Sequence, residues 1–113
     1  MPKYFHAISF AGVAGWGTGV LVFDTDSNLV VGADSGGVIY DGQFTVEHGR
    51  LTARVLATVP AGTALVTGVP PSNQPSTFTV NISIPMDDML NVVSVDTPVG
   101  PVRIQLRQIR AAA

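Results

Sequence analysis

The sequence predicts an all-β domain, an eight-stranded antiparallel barrel in up-and-down order. Apolar and polar residues alternate with period two through most of the chain. Clusters of Gly, Asp, Asn and Ser punctuate it at short intervals. No segment of ten residues or more carries the 3.6-residue period of an amphipathic helix. Many short alternating runs joined by tight turn signals indicate a sandwich or a barrel. The barrel is favoured because hairpin connections give up-and-down order, and closure leaves no edge for a charge-poor chain to protect.

The strands are taken in order. Lys3–Ala11 opens the chain, and Trp16–Phe23 follows, apolar on both of its faces. The polar run Asp24–Asn28 is a hairpin loop leading to Leu29–Ala33. Ser35-Gly36-Gly37 turns into Val38–Tyr40, which continues to Gln43–Glu47. Asp41-Gly42 lies inside that strand and predicts a bulge. His48-Gly49, with glycine available for positive φ, leads into Arg50–Thr58. In this strand Leu51, Ala53, Val55 and Ala57 alternate with Thr52, Arg54, Leu56 and Thr58. Thr77–Ile84 repeats the pattern with Phe78, Val80, Ile82 and Ile84 on one face. Asn91–Asp96 and Val102–Ile109 complete the set, with Arg103 and Arg107 sharing an outer face. The proline-rich span Pro60–Ser76 is the one long connection and reads as a mobile hairpin or lid. Pro85–Leu90 predicts a single helical turn, and residues 110–113 a frayed tail.

At 113 residues the chain is one domain, able to bury a core without staples. It contains no cysteine, which excludes disulfides and thiolate metal sites. Charged residues are only 12% of the chain and the net charge is -2. Nucleic-acid binding needs a concentrated basic surface, which is missing here. No run approaches the length of a membrane helix, and the start of the chain does not have the layout of a signal peptide, so a cytoplasmic protein is expected.

Motif-like segments have structural readings. Gly15-x-Gly17-x-Gly19 precedes a strand rather than a helix, so it is not a dinucleotide loop. Gly17, Gly19, Gly32 and Gly42 are read as structural glycines, marking bends or close backbone approach. Asp24-x-Asp26-x-Asn28 lacks the later glycine and glutamate of a calcium loop. His6 and His48 have no metal-ligand spacing, so no metal or other cofactor is expected. His6 could be joined by Asp34, Asp96, Ser9 or Ser35, but no nucleophile signature is present and no catalytic residue is assigned. Asn81-Ile82-Ser83 falls mid-strand, and its match to a glycosylation acceptor is read as chance.

The segment Gly17-Thr18-Gly19-Val20-Leu21-Val22, then Leu29-Val30-Val31-Gly32-Ala33-Asp34, then Val38-Ile39-Tyr40-Asp41-Gly42, resembles the GrlR-type negative regulators of type III secretion and their bacterial relatives. The turn Ile84-Pro85-x-x-x-x-Leu90 is also similar. The resemblance implies a calycin-like barrel that dimerises and acts by protein contact, holding a transcriptional activator inactive. Those regulators use an acidic Glu-Asp-Glu-Asp stretch for that contact. The matching turn here is Val46-Glu47-His48-Gly49-Arg50, which keeps only one acidic residue, so the contact residues do not carry over.

The sequence therefore predicts a non-enzymatic binding protein acting by protein contact. The alternative is a carrier of a small apolar ligand, because eight strands can enclose one small molecule. Ala53, Ala57 and Ala7 are expected to leave room inside. A homodimer is expected, since so few charges cannot cover the outer barrel; Leu21, Phe23 and Leu56 are the candidate dimer face.

Overall fold

Alternation puts every second side chain of a strand on one face, and burying that face requires the sheet to curl around it. The computed structural model describes residues 3–86 and 90–112. The eight strands are β1 (Lys3–Gly12), β2 (Gly15–Asp24), β3 (Leu29–Asp34), β4 (Ile39–Glu47), β5 (Arg50–Val59), β6 (Ser76–Pro85), β7 (Leu90–Thr97) and β8 (Gly100–Ala112). They form one antiparallel sheet in the order β6-β5-β4-β3-β2-β1-β8-β7. The first six are a meander, β8 returns beside β1, and β6 and β7 approach each other to make a nearly closed barrel. No helix occurs among the described residues, so none there is long and apolar enough to cross a membrane. Of the expected helical turn at Pro85–Leu90, Pro85 ends β6 and Leu90 begins β7, while residues 87–89 lie outside the described residues.

The inward set follows the alternation. Leu51, Ala53, Val55 and Ala57 on β5, Val80, Ile82 and Ile84 on β6, and Ile104 and Leu106 on β8 are buried. Arg54, Arg103 and Arg107 are on the outer face. On β1 the inward residues are Tyr4, His6, Ile8 and Phe10, which places Ala7 outside rather than among the small inward residues.

β2 corrects the expected dimer face. Leu21 is 3% exposed and Phe23 0%, both in the core, whereas Leu56 is outward and 44% exposed. The strand is apolar on both sides, so its own pattern could not choose a face. Pairing chooses it: Phe23 lies opposite Tyr4 and Val30, and Leu21 opposite His6 and Gly32, all on the concave side. Val20 is the outward, half-exposed residue instead.

The predicted bulge is also displaced. Gly42 pairs in regular register with Val30 on one side and Val55 on the other. The register shift lies between Phe5 and His6 against β8, where Ile109 is the extra residue. Gly42 is needed because the strands crowd on the concave face, and a Cβ there would run into the Arg54 carbonyl oxygen. Gly32 meets the Val20 carbonyl in the same way. Gly17 would press on the Phe10 ring and Gly19 on the Ala33 carbonyl, each at 2.5 Å. At the β4–β5 hairpin both central residues, His48 (φ 51°) and Gly49 (φ 77°), have positive φ, the two-residue turn whose twist matches its strands. β8 continues to Ala112, with Lys3 opposite Ala112, so the tail is paired where fraying was expected.

Candidate functional site

The two ends of the barrel are filled differently. At the end holding the β2–β3 and β4–β5 turns, the large side chains Phe23, Phe44, Leu51, Ile84 and Leu106 close the interior. The His6, Phe23 and Phe44 rings stack edge to face there, at centroid distances of 5.0 and 5.5 Å. At the opposite end the inward positions include Gly17 and Gly19 on β2, and Ala57 on β5. Short or missing side chains leave a cavity of about 180 Å³, partly open to solvent.

The cavity walls are mainly apolar: Ile8, Leu21, Val38, Val55, Val80, Val102 and Ile104, with Phe10, Trp16 and Phe78 as aromatic surface. Trp16 stands at the rim and is 77% exposed. The long connection after β5 covers this end as a strap folded back on itself in the manner of the expected hairpin, with Gly62 N–H donating to the Ser72 carbonyl at 2.9 Å and Leu65 N–H to the Val69 carbonyl at 3.1 Å. Its Thr63–Thr67 segment lines the cavity. Ala14 N–H donates to the Val66 carbonyl at 2.7 Å, and the Thr63 hydroxyl donates to the Gly36 carbonyl at 3.3 Å. These bonds tie the strap to the β1–β2 and β3–β4 turns.

Asp34 is the only charged side chain among the lining residues. It ends β3 and organises the turn into β4: its Oδ1 accepts from Gly36 N–H at 2.9 Å and from Val38 N–H at 3.1 Å. Its Oδ2 accepts from the Tyr40 hydroxyl at 2.6 Å. Three donors therefore hold it as an acceptor. Burial, reinforced by the hydrogen bond to Asp34 and by its negative charge, raises the Tyr40 hydroxyl far above the ordinary tyrosine range. On the strap, the Thr67 hydroxyl oxygen is buried with no hydrogen-bond partner.

His6 and Asp34, which the sequence left as possible partners, belong to opposite ends. His6 sits at the packed end beside a small void of about 10 Å³ lined also by Tyr4, Leu51 and Gln108. It is 6% exposed, its Nδ1 has no partner, and desolvation lowers its pKa, with a backbone hydrogen bond at Tyr4 pushing the other way. Ser35 lies at the cavity end, Ser9 is on the outward face of β1, and Asp96 is exposed on β7. Among the described residues no serine, histidine and carboxylate come together. The Asp24 carboxylate accepts from Asp26 N–H at 3.0 Å, so it caps its own turn. Among the described residues no three His, Asp or Glu side chains cluster in a metal-binding arrangement.

No protein-family model, curated protein or solved structure matches the chain significantly. Sequence reading missed the Asp34–Tyr40 pair as a site feature. A carboxylate just before a Gly-Gly turn, six residues ahead of an inward tyrosine, was the available signal. Thr67 gave no signal, because its partners are set by how the strap folds back.

Proposed function

We propose that this domain is a non-enzymatic binding protein, acting in the cytoplasm, that holds one compact apolar molecule in the cavity under the strap. The observation that carries this reading is the asymmetry of the interior. One end is closely packed, with a void of only about 10 Å³, while the other keeps a cavity of about 180 Å³ with mainly apolar walls. Natural cores are otherwise filled to near-crystalline density. An apolar cavity of ~150 Å³ is enough to take up benzene, so the fitting ligand is an aromatic or short branched molecule of that size. Toluene should quench or shift Trp16 fluorescence and raise the melting temperature in proportion to its concentration. Val80→Phe, which fills the cavity from β6, should abolish both effects. Unchanged melting and fluorescence in the parent protein would refute the carrier reading.

A second reading, action by protein contact as a homodimer, is favoured by the outer face of β2–β5. Val20, Val31, Ile39 and Leu56 are each between 42% and 51% exposed there on neighbouring strands. Asp41 and Arg54 lie beside them, and a two-fold contact would bring these opposite charges together across the interface. The occupant proposed is a second copy of this chain. Light scattering at micromolar concentration should give twice the monomer mass of 11.8 kDa. A regulatory role like that of the GrlR-type proteins would use this surface or one next to it, and pull-down with the intact protein tests that role separately.

A further inference from the structure

We infer that the cavity selects a ligand with a cationic, hydrogen-bond-donating head, an aromatic or short-chain primary amine, over an alcohol and against a carboxylate. This inference rests on the carrier reading above. The walls supply one charge, the Asp34 carboxylate, and no cation. Oδ1 of Asp34 is occupied by two backbone N–H groups. Oδ2 has one donor, Tyr40, and a carboxylate oxygen can accept a second. The tyrosine oxygen keeps its own lone pairs, so the Asp34–Tyr40 pair presents acceptors to the cavity. Its one O–H is already spent on Asp34.

The rest of the site suits an ammonium group in one further way. The rings of Phe10, Trp16 and Phe78 line the walls, and aromatic faces attract cations. Position limits the desolvation cost. Asp34 is half-buried and opens the β3–β4 turn at the partly open end, so the head stays near water. The apolar body points toward Val80 and Ile104. A carboxylate in the same place would meet the Asp34 charge with no cation to offset it.

The test is a matched series on the unmodified protein at neutral pH: toluene, benzyl alcohol, benzylamine and benzoate, read by Trp16 fluorescence and by calorimetry. Benzylamine should bind about tenfold or more tighter than benzyl alcohol, and benzoate weakest of the four. Added salt should weaken benzylamine and leave toluene unchanged. In Asp34→Asn, which keeps an acceptor for the turn amides, benzylamine should lose its advantage over the alcohol. If that variant misfolds, the salt dependence on the unmodified protein carries the same decision. Benzoate or toluene binding as well as benzylamine would overturn the inference while leaving the carrier reading intact. Failure of all four to bind would remove both.

Discussion

The Tyr40 hydroxyl reaches across the β3–β4 turn to donate a 2.6 Å hydrogen bond to Asp34 Oδ2. The turn is thereby held from both sides, since Oδ1 already binds the Gly36 and Val38 amides. Tyr40→Phe removes one donor and leaves a half-buried carboxylate oxygen with less solvation. It should cost about 1 kcal/mol in denaturant unfolding. The pH dependence has a definite sign. The folded hydroxyl ionises above its ordinary value of 10.0, so its contribution is fully present below that pH and is lost as pH rises through it. Thermal melts taken on either side of pH 10.0 should fall more steeply for the parent than for Tyr40→Phe.

His6 gives the opposite window. Its folded pKa lies below the ordinary 6.5, so the unfolded chain takes up a proton first as pH falls. Stability should be constant above 6.5 and decline below it until the folded imidazole is also protonated. His6→Leu should flatten that acid limb. A melting temperature in the parent that does not change between neutral pH and pH 5.5 would refute it (about one unit below the reference, where a free histidine is largely protonated).

Charge placed on each face of β2–β3 separates core from surface. Leu21→Lys buries an unpaired ammonium next to His6 and Gly32 and should cost ~4 kcal/mol or more, unfolding the domain. Val31→Lys, on a residue 44% exposed, should leave the melting temperature within a few degrees of the parent. If the chain is dimeric through this face, the same change should also yield a monomer by light scattering.

Gly42, like Gly32, stands directly against a backbone carbonyl of the neighbouring strand. Even Gly42→Ala sets a methyl group against the Arg54 carbonyl and the Val55 backbone, which cannot yield as a flexible side-chain tip can. A loss of about 2 kcal/mol is expected for alanine and more for valine, measured by urea unfolding. Gly17→Ala meets only the Phe10 ring, which can move, so it should cost less than Gly42→Ala.

The β4–β5 turn offers a stabilising change. His48 carries φ 51°, which asparagine adopts more readily. His48→Asn completes the Asn-Gly pair preferred in such turns and should raise stability by about 0.5 kcal/mol. His48→Val should lower it, since a β-branched residue resists positive φ.

The sequence by itself determined the all-β class, the strand count and most of the boundaries. Each rests on local physics: alternation on β5, β6 and β8 is a period any extended strand must obey, and Gly, Asn and Asp mark the turns. It also determined that Gly17, Gly19, Gly32 and Gly42 are structural. Only the tertiary structure decided the rest. On β2 both faces are apolar, and closure of the sheet, through pairing with β1 and β3, sent Leu21 and Phe23 inward. The inward place of Gly42 comes from curvature that brings Arg54 beneath it, and a residue on another strand leaves no trace in the local pattern. The cavity has the same origin. It exists because Gly17, Gly19 and Ala57 leave inward positions short at one end, while Phe23, Phe44, Leu51, Ile84 and Leu106 fill the other. Register across the curled sheet sets that arrangement, and register depends on pairings between residues far apart in the chain.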